Sequence, residues 1–351
     1  MPEPVLSTRA LNRALLDRQF LLTRSDQPIE GVLESVGGLQ TQYAPSGYIG
    51  LWSRMHGFER AQLTQALESR RVIQGTLMRA TIHMVSAADY WPMEVAVRDA
   101  RREWWLRAAR SQIKSVDPDG IAAAIRDELA NGPLRQKELS SRLTARGYDG
   151  PQSGINILAD IVRVPPSGTW EQRRADLYGL AADWLPPPRQ LTERDGVERL
   201  IRRYLRGFGP AAIPDVANWM GVNIGAVREV AAALELHSFR DVGGRALLDL
   251  PDAPLPDPET PVPARFLPVW DATLLVHARR TQILPEEFRS RVFNTRTPHS
   301  VNTVLLDGQV AGMWRHEKGA ISIEPFRTLT KAERAAIDDE APRLEAFHAS
   351  A

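Results

Sequence analysis

The sequence predicts an α+β protein made of tandem winged-helix units followed by a small β-barrel. Three observations carry that expectation. Helical patterns close three times on a short β-like ribbon, with little sequence identity between the repeats. The third repeat sets a glycine turn between two helices, Ile213 to Gly221 and Asn223 to Leu234, ahead of a hairpin marked by Gly243-Gly244. A proline-rich stretch at 251–263 then gives way to strand-like patterning.

The first unit covers residues 5–100. Ser7 stands as N-cap before a helix with apolar positions Leu11, Leu15, Leu16 and Leu22. Glu30 to Leu39 and Phe58 to Glu68 read as the next helices, the second with Leu63 and Leu67 four apart. Val72 to Val85 turns β-like, with Gly75 available to bend the ribbon. The second unit, 101–190, reads as helices at Ile121 to Leu129, Leu134 to Arg146 and Ser153 to Val162, then a hairpin from Pro165 to Tyr178. The third, 191–255, opens on a helix from Val197 to Leu205. Residues 264–346 hold the barrel-like unit, with strands at Phe266 to Trp270, Thr273 to His277, Val301 to Leu306, Gln309 to Trp314 and Ile321 to Ile323. Asp307-Gly308 is a two-residue turn signal, and Thr330 to Ala346 reads as a closing helix.

Composition narrows the chemistry. With no cysteine, disulfides, thiol nucleophiles and thiolate-bound zinc are excluded. The seven histidines show no metal-ligand spacing, and neither a phosphate-binding glycine motif nor a nucleophile elbow is present. No cofactor and no metal are therefore expected. No window holds the roughly 18 consecutive apolar residues of a membrane span, and the opening Met1-Pro2-Glu3-Pro4 has no signal-peptide pattern. A cytoplasmic, nucleoid-associated protein with no membrane partner is the expectation. Net charge is only +1, so a nucleic-acid role depends on where the 44 Lys and Arg lie.

Four segments carry a resemblance over nearly the whole chain: Gly38-Leu39-Gln40-Thr41-Gln42; Leu77-Met78-Arg79-Ala80-Thr81-Ile82-His83; Phe266-Leu267-Pro268-Val269-Trp270-Asp271; and Leu305-Leu306-Asp307-Gly308 with Gly312-Met313-Trp314. In this order and spacing they resemble the winged-helix DNA glycosylase family typified by AlkZ. The resemblance implies three winged-helix units braced by a barrel around a concave DNA-binding face. It also implies a catalytic Gln-x-Gln element at Gln40 and Gln42. A sister branch has Asp in place of the second Gln, so this chain resembles the Gln-x-Gln branch. That branch includes self-resistance enzymes of organisms that make DNA-alkylating or crosslinking natural products. The implied activity is a monofunctional glycosylase, working as a monomer on double-stranded DNA that carries alkylated purines, crosslinks included.

The residues can be matched to such chemistry. A glutamine amide is not a base at neutral pH, whereas ordinary glycoside hydrolysis uses two carboxylates. A purine alkylated at N7 or N3 is already cationic and leaves neutral without protonation. The remaining task is to orient water and shape the field around an oxocarbenium-like transition state. A glutamine carbonyl can accept from that water, and its amide can donate to DNA. Residues i and i+2 diverge on a helix but share a face in extended chain, and Gly37-Gly38, Pro45 and Gly47 point to an irregular segment. Taken without the resemblance, the same glutamines can simply end a helix.

The candidate DNA contacts are Arg79, His83, Arg202, Arg203, Arg279, Arg280 and Arg296. Further basic groups lie at Arg98, Arg101, Arg102, Arg107 and Arg110, beside Trp104 and Trp105, and at Arg289 and Arg291. The arginine-rich segments are expected to line one concave face, with acids opposite. Each group also reads as an ordinary solvated face, and His83 as a hydrogen-bonded core residue. Asp271 reads either as a carboxylate supporting the site or as the structural partner of an arginine. Two non-catalytic functions stay open. One is a transcription regulator, against which the apolar helix Asn223 to Leu234 argues by reading as buried. The other is a toxin-sequestering protein using some of the nine Trp.

Overall fold

The computed structural model describes residues 3–109, 117–148, 154–188, 190–275, 280–294 and 299–350, the side chains of 280, 294 and 299 apart. The fold is mixed α+β. Ser7 does cap the first helix, Thr8–Arg18, its hydroxyl accepting from Ala10 N at 3.1 Å. The helix buries Leu11, Leu15 and Leu16 and turns its polar residues toward distant chain. Asn12 Nδ2 donates to Gln282 O at 2.9 Å and to Gly308 O at 2.8 Å. Arg9 and Arg13 pair with Asp307 at 2.9 Å and 2.5 Å. Just before it, Val5–Leu6 pairs in parallel with His237–Asp241, whose antiparallel partner is Ala246–Asp249. The start of the chain thus completes the sheet of the third hairpin.

The first two hairpins form one six-stranded sheet. Its order is Leu39–Gln40, Ile82–Ser86, Val72–Thr76, Ile161–Arg163, Leu177–Leu180 and Leu134–Arg135. The join is between Val72–Thr76 and Ile161–Arg163, where Gly75 faces Val162. A Cβ on Gly75 would lie 2.8 Å from the Tyr90 ring, so the glycine admits the Ala87–Ala109 helix against the sheet. The Glu193–Phe208 helix packs along that helix, and both feed a continuous core from Leu15 through Tyr90 and Trp219 to Phe326. No helix among the described residues is long and apolar enough to cross a membrane.

Several expectations are corrected. The span expected as one helix from Leu134 opens on the strand Leu134–Arg135 before the helix Gln136–Ala145. Ser153 lies outside the described residues, and the rest of that expected helix splits into Ile155–Leu158 and the strand Ile161–Arg163, because Val162 is needed beside Gly75. Thr273 to His277 is not a strand over its described part: Ala272–Leu274 is a 3-10 turn capped by Asp271, whose carboxylate accepts from Thr273 N at 3.1 Å. The Ile224–Ala232 helix is not buried. Val227, Val230 and Ala231 face the core, while Ile224, Gly225 and Arg228 face solvent.

The barrel does not close. Arg265–Leu267, Thr303–Leu306, Gln309–Glu317 and Ala320–Pro325 form an open four-stranded antiparallel sheet in that order. Four strands are too few for a closed barrel with a filled interior. The free edge is satisfied otherwise: Phe266 O accepts from Ser53 Oγ at 2.5 Å and Leu267 O from Trp314 Nε1 at 3.0 Å. The final helix, Lys331–Ala349, brings Phe347 against Trp52, Phe58 and Trp170, which ties the sheet to the first part of the chain. Asp307-Gly308 is the tight turn its sequence announces, both residues at positive φ (45° and 77°).

Candidate active site

The Gln40-Thr41-Gln42 segment is shaped by the two glycines before it. Gly37 and Gly38 take left-handed backbone at φ 76° and 79°, and a Cβ on Gly38 would lie 2.8 Å from Val85 Cγ1. The chain leaves the Ile29–Val36 helix there and lies along Ile82–Ser86, with Leu39 opposite Met84 and Gln40 opposite His83. Thr41 N extends the pairing by donating to Ile82 O at 2.8 Å. The Pro45–Arg54 helix follows and ends the extended run.

Gln40 ends the short strand opposite His83, and Gln42 follows in a bend of the chain. Thr41 is buried, its Cγ2 2.9 Å from where a Gly47 Cβ would stand, so it packs on the Pro45–Arg54 helix. Gln40 is 9 % exposed. Gln42 is exposed, and its Oε1 accepts from Ile82 N at 3.3 Å.

Arg79 stands beside Gln40, but not on a strand as the alternating pattern suggests. It occupies the 3-10 turn Met78–Ala80 between the two strands, and both Arg79 and Ala80 have positive φ, 52° and 55°. Its Nη2 donates to Gln40 Oε1 at 3.0 Å and its Nη1 to Trp219 O at 2.8 Å. Burial pulls the guanidinium down to about 10, so it remains charged at neutral pH.

His83 is a core residue. It is 2 % exposed, and its Nδ1 donates to Thr81 O at 3.0 Å, which fixes the tautomer because a carbonyl only accepts. Burial first, then the Arg79 charge, pulls its pKa down to about 3. It is neutral at physiological pH and unavailable for DNA contact. The folded protein refuses a proton that the unfolded chain accepts below about 6.5. Stability from this group is therefore complete above pH 6.5 and is lost as pH falls through the window from 6.5 to about 3. Melting temperature should fall on acidification from pH 7 to 5, and fall less steeply in His83→Asn. Equal slopes in the two proteins would show that His83 accepts protons freely.

Gln42 opens into a cleft of about 420 Å³ whose wall comes from the second hairpin: Arg163, Arg173, Arg174, Asp176 and Tyr178. Arg174 is 81 % exposed at its side chain. Arg173 is exposed too, with Nη1 donating to Tyr43 Oη at 2.9 Å. Arg163 is buried, its Nη2 donating to Thr76 Oγ1 at 3.0 Å, and burial pulls its pKa down. Asp176 is tied to Arg135 at 2.7 Å and Arg174 at 2.9 Å, so this carboxylate is engaged as an ion-pair partner. Ala80 and Trp104 separate the cleft from a groove of about 850 Å³ that runs to Asn223 and Ile224.

The second-hairpin arginines were not singled out in the sequence. Their only signal is the Arg173-Arg174 pair at a hairpin bend. The expected DNA contacts fare unevenly. Arg203 is buried between Asp89 (2.7 Å) and Glu34 (2.7 Å), which removes it from any surface role. Arg202 is exposed and pairs with Glu198 one turn away at 2.9 Å. Arg110, Arg279 and Arg296, and the side chain of Arg280, lie outside the described residues. Arg98 and Arg101 both hold the buried Glu94, at 2.5 Å and 2.7 Å. Arg102 pairs with Asp119 at 2.7 Å, Arg289 with Glu286 at 3.2 Å and Arg291 with Glu324 at 2.9 Å. The large groove is lined by Arg79 and Arg107 but also by Asp99, Glu103 and Glu193. The expectation of arginine-rich segments on one face with acids opposite is thus corrected: among the described residues most arginines are offset locally by acids.

A mixed α+β chain with Gln42 on the lining of a cleft that Arg173 and Arg174 also line fits the class of DNA glycosylases. Specifically, the chain belongs to the DNA glycosylase AlkZ-like family, whose model matches residues 33–347. It is similar to the interstrand DNA cross-link repair glycosylase of Streptomyces sahachiroi, 23% identical over 355 residues that cover 94% of this chain and 93% of that protein. The solved structure of Streptomyces sahachiroi DNA glycosylase AlkZ superposes with a TM-score of 0.81 at 19% identity, covering 98% of this chain and 97% of that one.

Proposed function

We propose that the protein is a monofunctional DNA glycosylase that hydrolyses the N-glycosidic bond of cationic alkylated purines, of N7-alkylguanine or N3-alkyladenine type, in double-stranded DNA. Gln40 and Gln42 are the catalytic pair. The supporting observation is Gln42, exposed on the lining of a cleft that it shares with Arg173 and Arg174, two residues after Gln40. The exposed Arg173 and Arg174 suit DNA phosphates, and an amide pair suits a leaving group that needs no proton. Three winged-helix units, at 5–100, 101–190 and 191–255, carry this site, with the 264–346 unit as a brace. The likeness to the interstrand DNA cross-link repair glycosylase of Streptomyces sahachiroi supports unhooking of interstrand crosslinks, and self-resistance to a genotoxic natural product is the role proposed with it. The enzyme works as a nucleoid-associated monomer without a cofactor.

Incubation of the purified protein with duplexes carrying N7-methylguanine, uracil or 8-oxoguanine tests the reading through abasic-site formation. Release of N7-methylguanine alone is expected, because neutral bases need help in leaving. Excision of uracil at a similar rate would sink the cationic-substrate claim. DNA binding with no base release would favour the regulator reading, which the exposed Asn223 and Ile224 at the large groove keep alive.

A further inference from the structure

We infer that Arg79 is a positioning residue that locks Gln40 as a hydrogen-bond donor, so that the two glutamines do different work: Gln40 presents its amide nitrogen to the lesion nucleotide, and Gln42 holds the water. The inference rests on the reading of the pair as catalytic.

A guanidinium carries only donors, and a glutamine amide carries one oxygen and one NH₂. The group facing Arg79 Nη2 at 3.0 Å is therefore the Gln40 oxygen, which turns Nε2 away. That nitrogen donates to no described residue and is not sealed from solvent. It is left to donate to a nucleotide that reaches Gln40, two residues before Gln42 on the cleft lining.

Arg79 is itself held. Its Nη1 rests on Trp219 O at 2.8 Å, in the last turn of the Ile213–Met220 helix, where carbonyls favour a cation. A Cβ on Gly221 would stand 3.1 Å from Arg79 N, so the turn after that helix packs on the arginine's own backbone. Left-handed backbone at two successive non-glycine residues, Arg79 and Ala80, is a strained conformation that the surroundings must impose. No carboxylate pairs with Arg79 among the described residues, in contrast to Arg203 with its two acids. A charged group spent on two carbonyl oxygens, one of them the Gln40 amide, is arranged to orient.

Gln42 is held less firmly. Its oxygen accepts one backbone N–H at 3.3 Å and keeps a second lone pair for water. In the reaction the glycosidic C–N bond breaks with its electron pair going to the purine, whose cationic ring becomes neutral. The oxygen of the water on Gln42 bonds to C1′, and its proton passes to bulk water. Electron density rises on the departing purine, where the Gln40 NH₂ stabilises an acceptor atom.

The test is single-turnover release of N7-methylguanine from a duplex, with DNA affinity measured alongside. Gln40→Glu keeps an acceptor for Arg79 but loses the donor. It should fold with an undiminished melting temperature and yet lose ~10²-fold in rate, as Gln40→Ala does. Gln42→Glu should retain more activity than Gln42→Ala, since a carboxylate still holds water. Arg79→Met should slow release at unchanged affinity in the native background and cause no further loss in a Gln40→Ala background, the non-additivity of groups acting through one another. A fully active Gln40→Glu overturns the assignment, because the working atom is then an oxygen. Additive losses in the Arg79→Met, Gln40→Ala pair overturn the positioning role. Undiminished activity of Gln40→Ala refutes the catalytic reading of Gln40 itself, a different failure. If Arg79→Met does not fold, the contrast between the two Glu variants decides alone.

Discussion

Replacing Gln42 by alanine is expected to slow base release by ~10²-fold or more, the usual loss when a positioned catalytic hydrogen bond is removed. DNA affinity should stay nearly unchanged if, as proposed, the phosphates are held by other groups such as Arg173 and Arg174 in the same cleft. The substitution itself is mild for the fold: Gln42 is exposed and makes one 3.3 Å contact with Ile82 N. Gln42→Asp should lose less, since a carboxylate can still hold water. A Gln42→Ala enzyme with full rate ends the catalytic role of this residue. One that loses rate and affinity together assigns Gln42 to DNA binding instead.

Asp271→Ala is expected to give the largest loss of stability. The carboxylate faces Arg54 in parallel, Nη1 to Oδ2 and Nη2 to Oδ1 both at 3.0 Å, and the two side chains are 1 % and 0 % exposed. Asp271 also accepts from Thr273 N at 3.1 Å and Thr273 Oγ1 at 2.8 Å. Removing it leaves a buried guanidinium with no counter-charge, which costs about 3–5 kcal/mol in typical cases. Much of that is the desolvation of the orphaned arginine rather than the worth of the pair. Asp271→Asn, which still caps the turn, should lose less. Urea unfolding monitored by tryptophan fluorescence measures both variants, and an Asp271→Ala midpoint equal to the native one would mean that Arg54 is hydrated.

Local chemistry made much of the chain legible. Ser7 caps its helix, Gly243-Gly244 lies between the arms of a hairpin, and Asp307-Gly308 turns where a type I′ pair should. These signals depend on a few adjacent residues. Ile161–Arg163 differs from the helix expected there because a short apolar run suits either a helix or a buried strand. Only its partner, Val72–Thr76, far away in sequence, decides between them. The Ile224–Ala232 helix looks buried in sequence because its apolar residues are numerous, but only Val227, Val230 and Ala231 meet the core.

At the candidate site, the sequence alone determined that two glutamines two apart follow a pair of glycines, and that no thiol, metal cluster or nucleotide motif competes with them. The glycine pair and Pro45 also marked the segment as irregular, and Gly37 and Gly38 do take left-handed backbone ahead of the short strand Leu39–Gln40. Tertiary structure decided everything that acts on those side chains. Arg79 reaches Gln40 because a left-handed turn aims it there and the third helical region holds it from behind. Arg163, Arg173 and Arg174 line one cleft with Gln42 because two hairpins distant in sequence join in one sheet, Gly75 beside Val162. Conversely, Arg203 and His83, basic residues that look available in sequence, are withdrawn into the interior. Charge and hydrogen-bonding power belong to a residue's type, but their direction and solvation are set by neighbours that only the fold brings within a few ångströms.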